Sequence, residues 1–427
     1  MLSTLIQSAR ECSIKRAISL CAILAIATPA ASAAITGKHT LAIAGSGPFA
    51  HYRIVALANL GDGILLASYD GRPDGGDSPS PNSIMQRRST DGGATWGEPT
   101  YIAKGQPKQS SVQQYGFSDP SYVVDSKTGK VFNFHVFSKN QGFVNGAIGN
   151  DDTNLNIVSA EVSVSTDKGV SWSTDPDNQP SLPPVASSNV GAPPLITKAI
   201  KPVGSTVNGV ANVGGIAGLF ASSGEGIQLK YGAHAGRLVQ QFLGKVIQPS
   251  GSKVSQAYSV YSDDGGATWK KGNVVGTGMD ENKVVELSNG NLMLNSRPSD
   301  GSGYRKVATS TDGGENWSTP VTETQLPDPG NNGAIARAYP DAAQGSANAK
   351  ILLFTNANSK TSRSNGTIRY SCDDGKTWSA GSVFQAGAMS YSTVTALGND
   401  KFGIFYEGGN NDLVYIEVSK AFIGISC

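Results

Sequence analysis

Five near-copies of one octet punctuate this chain: "STDGGATW" at 89–96, "STDKGVSW" at 165–172, "SDDGGATW" at 262–269, "STDGGENW" at 310–317 and "SCDDGKTW" at 371–378. They share the pattern S-x-D-x-G-x-x-W. Their last residues, Trp96, Trp172, Trp269, Trp317 and Trp378, are all the tryptophans in the sequence. An internal repeat of this kind constrains the architecture before any other feature does, because each copy must perform the same structural task. Asp-Gly and Gly-Gly pairs are hairpin-turn chemistry: the tight turn needs positive φ, and glycine takes it without steric cost. Asp91, Asp167, Asp264, Asp312 and Asp373 are short acceptors suited to capping the turn's own N–H groups. A carboxylate repeated five times reads as scaffold, not as a metal ligand or catalytic group. Each tryptophan is expected to fold its ring over the hairpin it has just left.

The runs ahead of the octets, "SIMQRRS", "VSAEVSVS", "QAYSVYS", "YRKVATS" and "GTIRYS", read as strands. Successive octet aspartates lie 76, 97, 48 and 61 residues apart, and long helical patterns are absent. Each repeat therefore has room for one sheet of four short strands, and such sheets stacked radially make a β-propeller. The octets mark units at about 52–110, 115–185, 195–275, 280–325 and 333–385. Residues 388–427 form a sixth without an octet, whose outer strand is expected from "HTLAIA" at 39–44. The expectation is an all-β fold: a six-bladed β-propeller of four-stranded antiparallel sheets. The Gly- and Val-rich stretch 200–225 is expected to be an elaborated loop.

Residues 1–33 read as a secretory signal: Arg10, Lys15 and Arg16 precede the apolar run "AISLCAILAIA", and "ASA" at 31–33 suits cleavage. That run is too short to span a bilayer comfortably, so no membrane insertion is expected. Residues 34–427 would then be a single exported domain, extracellular or periplasmic. The whole chain carries a net charge of +1, and a nucleic-acid binder would show a basic excess. Only Cys372 and Cys427 lie beyond the leader, a pair able to form a disulfide in an oxidising compartment, two free thiols being the other reading. The histidines at 39, 51, 135 and 234 lack zinc spacing and no nucleophilic-serine motif is visible, so neither metal nor cofactor is expected.

The octets resemble the Asp boxes of sialidases, and they occur with further segments in family order. These are "YRI" at 52–54, "ASYDGRPDGGDSPSPNSIMQRRSTDGG", "GFSDPSYVVD", "GIQLKYGAHAGRLV", "MDENKVVELSNG", "MLNSRPS", "TSRSNGTIRYSCDDG" and "MSYSTV". Val55 stands where the family usually has proline, but the arginine before it is kept. The resemblance runs from about residue 40 to the C-terminus and is to secreted bacterial sialidases. It implies an exo-α-sialidase that hydrolyses terminal sialic acids from oligosaccharides, glycoproteins or glycolipids, as a monomer. A trans-sialidase, or a non-catalytic glycan-binding propeller, are the alternatives.

A sialic-acid glycosidase must hold a carboxylate on the anomeric carbon, which calls for several arginines making charge-assisted contacts. A carboxylate nucleophile would be repelled by that group, and sialidases use a tyrosine instead. The resemblance assigns Arg53, Arg297 and Arg363 to the substrate carboxylate, with Arg337 the rival for the third place. It assigns Tyr391 as nucleophile and Glu281 as the carboxylate that takes its proton from within hydrogen-bond reach. Glu286, five residues on, falls on the opposite strand face. The acid is expected at Asp77, on a mobile, semi-exposed arm supplied by Gly75 and Gly76, with Asp74 the alternative. Arg72 is expected to support the site from beside that loop, and Asp119 to contact substrate. Arg87, Arg88 and Arg369 precede octets and are expected on solvated strand faces.

Overall fold

The structure, a computed structural model, describes residues 35–174, 191–410 and 412–427. The leader expected at 1–33 lies outside the described residues. Ala33–Cys427 forms one compact unit, an all-β propeller. Its first sheet runs His51–Asn59, Leu65–Arg72, Ser83–Ser89 and Thr100–Ala103, each strand antiparallel to the last. The fourth repeats this order with Met279–Glu286, Leu292–Pro298, Tyr304–Ser310 and Val321–Pro327. The second has three antiparallel strands, Gly116–Val124, Val131–Ser138 and Ser159–Ser165, plus Gly224–Glu225 lying parallel along its inner edge. The third is built from Ile216–Ala221, Leu238–Ile247, Lys253–Ser262 and Lys270–Lys271.

These four sheets are separate, whereas the fifth and sixth units are not. Ala334–Arg337, Leu352–Ala357 and Ser364–Ser371 join Lys401–Gly408 and Leu413–Ser419 in one seven-stranded array. The link is Ser382–Gly398, whose first half pairs with Ser364–Ser371 and whose second half pairs with Lys401–Gly408. No loop interrupts that strand, so the two expected sheets are hydrogen-bonded into one. Ile35–Ala42 supplies the outer strand of the last unit, with His39 opposite Tyr415. Tyr52, Ile54 and Leu57 of the first sheet pack with Tyr391, Phe405 and Tyr415 of the last, closing the ring with buried apolar surface.

The stretch expected to be an elaborated loop is only partly one. Ser205–Val207 and Val210–Val213 form an exposed hairpin, but Ile216–Ala221 is a buried strand of the third sheet.

Each octet forms the turn that follows the third antiparallel strand of its unit. Ser89 Oγ donates to Asp91 at 2.8 Å and accepts from Gly93 N at 2.9 Å, while Asp91 also accepts from Thr95 N at 2.9 Å. The other four octets repeat these bonds. Donors converging on the carboxylate hold Asp91 down at about 2. These aspartates are turn caps.

The tryptophans depart from expectation. They enter the seam with the preceding sheet, Trp172 and Trp378 while also meeting Tyr122 and Phe354 of their own units. Trp96 meets Tyr415 of the last unit at 5.0 Å, Trp269 meets Phe134 of the second sheet at 4.7 Å, and Trp317 Nε1 donates to Ser259 of the third. The octet glycine faces the same seam: a Cβ on Gly266 would sit 2.1 Å from the Phe132 ring. Each octet thus seals two neighbouring sheets, and one such ring buries ~200 Å², on the order of 5 kcal/mol before entropic costs.

Cys372, inside the last octet, is disulfide-bonded to Cys427 across 55 residues. Cys427→Ser is expected to lower stability by about 4 kcal/mol, the chain-entropy value for a loop of that length. An unchanged guanidinium midpoint would mean that the packing of Ile423 and Ile425 alone secures the C-terminus.

Candidate active site

The inner strands lose their regular pairing where chemistry is expected. Register shifts interrupt them between Arg53 and Ala56, Ser118 and Ser121, Met279 and Asn282, and Met389 and Ser392. Arg53, Asp119, Glu281 and Tyr391 lie at these four shifts. A bulge turns side chains out of the pleat and leaves backbone N–H groups without ladder partners. Ile54 and Asp119 adopt φ of 63° and 65°, costing about 1–3 kcal/mol each unless the surroundings hold them.

Buried side chains meet the released N–H groups. Glu407, with no exposed surface, accepts from Ile54 N at 2.7 Å, from Arg53 Nε at 3.0 Å and, through its other oxygen, from Tyr391 N at 3.4 Å. Asp70 Oδ1 accepts from Asp119 N at 3.1 Å, and Ser222 Oγ from Asn282 N at 2.9 Å. Sequence reasoning gave none of these three a role. The signal for Glu407 was a lone acid in the apolar run "FGIFYEGG".

Three guanidiniums surround the buried Tyr391. Those of Arg53 and Arg363 lie 5.2 and 5.5 Å from its ring centre, and Arg297 Nη1 donates to its hydroxyl at 3.1 Å. The same Nη1 donates to Glu281 Oε2 at 2.8 Å. Arg297 therefore bridges the two groups expected to exchange a proton. No hydrogen bond joins Glu281 directly to the phenol, contrary to expectation, because its nearest strong donor is the guanidinium. Burial and the charge of Glu281 push the phenol well above its ordinary range, against the pull of the three arginines. Asp280, unremarked in the sequence, lies 3.6 Å from Arg297 Nε. Burial pushes its carboxyl up to about 6 despite that arginine.

Arg72 is buried and forked onto Asp70 at 2.8 and 3.1 Å, and its Nη1 reaches Asp77 at 2.6 Å. Asp77 itself stands in solvent, its side chain 86% exposed. Asp74 accepts from Gly76 N and Ser80 Oγ as a turn cap. Burial, with Asp70 and Glu281 nearby, pushes the Asp119 carboxyl well above its ordinary value. The arm is exposed at Asp74 and Gly75, but its descending limb is fastened: Gln114 donates to Pro79 O and Asn82 to Gly76 O.

Arg337 stands apart from this group. It donates to Tyr231 Oη and lies 3.6 Å from Glu286, whose carboxylate accepts from Lys230 N and Tyr231 N. Both line a separate cavity of about 550 Å³ with Asn59, Lys283 and Thr395, at the far ends of the strands that carry Arg53, Glu281 and Tyr391. Arg369 is buried rather than solvated, donating to Ser379 O, Ala380 O and Asn358. The chain after its octet folds across that strand face and covers it. Arg87 and Arg88 are half-buried and likewise hold carbonyls, of Leu41, Gly97 and Lys168. Among the described residues no group of three or more His, Cys, Asp or Glu is placed to hold a metal ion.

Residues 63–404 match the family model of the BNR repeat-like domain. The chain is 50% identical over 390 residues to a sialidase of Micromonospora viridifaciens, covering 91% of this chain and 55% of that one. It is 29% identical over 376 residues to a sialidase of Bacteroides fragilis, covering 85% and 61%. The chain thus spans little more than half the length of these curated relatives. Among solved structures, Hadza microbial sialidase Hz136 superposes with a TM-score of 0.74 at 25% identity, over 90% of this chain and 69% of that one.

Proposed function

Because this chain belongs to the BNR repeat-like domain family and is homologous to bacterial sialidases over most of its length, we propose that it is an exo-α-sialidase. It removes terminal sialic acids from glycoconjugates with retention, through a tyrosyl–sialyl intermediate. The observation that carries this reading is the convergence of Arg53, Arg297 and Arg363 on one buried tyrosine. Three cations around a neutral nucleophile suit a substrate whose reacting carbon bears a carboxylate.

The substrate carboxylate takes up the three guanidiniums and competes with Glu281 for Arg297. Glu281, so released, accepts the phenolic proton as Tyr391 Oη bonds to the anomeric carbon. The bond from that carbon to the aglycone oxygen breaks, and Asp77 supplies the proton this oxygen needs. Asp77 then deprotonates a water that displaces Tyr391, and the phenol recovers its proton from Glu281. Asp119 contacts the sugar, and Arg72 holds Asp77 before and after transfer. Residues 1–33 serve as a cleaved leader, making this an exported monomer, extracellular or periplasmic. N-terminal sequencing of secreted material should begin near Ala34, and an intact N-terminus there would refute the leader.

Hydrolysis of a fluorogenic aryl sialoside, with and without lactose, tests the assignment. Release of free sialic acid unaffected by lactose is expected. Sialyllactose as the main product would make the enzyme a transferase, and inactivity would favour a glycan-binding propeller. Arg363→Ala should weaken substrate binding by about 2–5 kcal/mol, the scale of a broken charge-assisted pair, while Arg337→Ala leaves it unchanged. The reverse result would transfer the third place to Arg337. Asp77→Asn should slow hydrolysis of sialyllactose about 10²–10⁴-fold and an activated aryl sialoside far less, since a good leaving group needs little protonation. Equal losses on both substrates would remove Asp77 as the acid.

A further inference from the structure

The acid-bearing arm descends from Asp77 through Ser78, Ser80 and Asn82, and at each of these three a glycine from elsewhere presses on its backbone. A Cβ on Gly142 would lie 2.0 Å from Ser78 O, one on Gly116 2.1 Å from Ser80 O, and one on Gly105 2.3 Å from Asn82 O. Gly105 follows the outer strand of the first sheet, Gly116 opens the inner strand of the second, and Gly142 lies in the loop beyond Val131–Ser138. The Gly142 loop is anchored in turn. A Cβ on Gly218 would fall 1.9 Å from Phe143 O, and the Phe143 and Phe220 rings meet edge to face at 4.7 Å. Gln113 fastens the same loop through Asn140 at 3.0 Å, while its neighbour Gln114 donates to Pro79 O at 2.9 Å.

We propose that these contacts form a cradle that sets the position of Asp77 from below, and that Gly142 is a positioning residue for the acid. The proposal rests on the sialidase reading and on Asp77 as proton donor. From above, the Asp77 carboxylate is held by Arg72, itself locked onto Asp70. The third sheet, through Phe143 and Gly142, thus buttresses an acid carried by the first. A methyl group at Gly142 must move the Ser78 carbonyl by more than 1 Å to reach an ordinary C···O separation of about 3.3 Å. Ser78 is the next residue after Asp77, and a misplacement of about 1 Å at a reacting group costs on the order of 10²-fold in rate. Arg53, Arg297, Glu281 and Tyr391 stand on other strands, Arg363 stands in the bend before Ser364–Ser371, and all are untouched by the change.

The test uses the full chain, with kcat/KM measured on sialyllactose and on an activated aryl sialoside. Gly142→Ala should lose at least tenfold more on sialyllactose than on the aryl substrate, and should cost nothing further in an Asp77→Asn background. Gln114→Ala, a milder removal of one cradle contact, should show the same selectivity at smaller size. It decides the question by the same cycle should Gly142→Ala fail to fold. Equal losses on the two substrates, or losses that add to those of Asp77→Asn, would overturn the cradle while leaving the sialidase reading intact. A wild-type protein inactive on both substrates would instead end that reading, and the cradle with it.

Discussion

Tyr391→Phe is expected to remain folded and to lose roughly 10³–10⁶-fold in kcat/KM for retaining hydrolysis, the range for removal of a nucleophile. The ring lies in the apolar seam between the first and last units, with Tyr52, Ile54 and Phe405 around it. Phe keeps that packing and deletes one oxygen. With the phenol held above its ordinary range by burial and by Glu281, it approaches substrate neutral, which spares it the repulsion that an aspartate would meet. A fluorinated sialosyl fluoride should trap the adduct, and peptide mass spectrometry should find it on the fragment holding Tyr391. An adduct elsewhere, or NMR showing the β-anomer released first from an α-sialoside, would sink the nucleophile role. So would near-normal activity in Tyr391→Phe.

Glu407→Ala should be nearly as damaging, by a different route. The carboxylate is fully buried, pairs with Arg53 and accepts from two bulge N–H groups. Removing one partner of such a pair costs about 3 kcal/mol, the low end for a buried pair because Arg53 is only partly buried, and it leaves that charge and two bulge N–H groups unpaired. The denaturation midpoint should therefore fall, and affinity for a sialic-acid analogue should fall with it as Arg53 loses its orientation. Glu407→Gln, which keeps an acceptor for Ile54 N but loses the charge, should be intermediate in both. A Glu407→Ala protein with unchanged midpoint and unchanged affinity would show that Arg53 is positioned by its strand alone.

Motif-bearing side chains were legible in the sequence, and so was Arg72 beside the acid loop; the other supports were not. The octets announced repeated sheets because Gly-rich turns and tryptophans are rare and fivefold. Arg53, Arg297, Arg363 and Glu281 were found because each sits in a segment with a family likeness. Glu407, Asp70, Ser222 and Asp280 escaped because their importance depends on register. Alternation along a strand predicts that neighbours face opposite ways. Yet Asp280 and Glu281 both reach Arg297, because the register shifts there. A shift of one residue leaves no mark in composition or periodicity. The tryptophan positions are hidden for a related reason: a turn signal reports the turn, not which neighbouring sheet its ring will enter. Arg369 is expected on a solvated face from the sequence alone because nothing local reveals that the following chain returns over it.

The strand Ile35–Ala42 pairs with Leu413–Ser419, bringing together segments from nearly opposite ends of the described chain. The same seam assembles the chemistry, since Arg53 comes from the first sheet and Tyr391 and Glu407 from the last. Contacts of such high sequence separation form late, because loop-closure entropy must be overcome before they contribute. A growing chain would reach its final hundred residues with the nucleophile still unmade and its first arginine without a counter-charge. Catalytic competence is therefore a property of the closed ring alone, and enzyme turnover reports the last event of folding, not an accumulating fraction of native sheets.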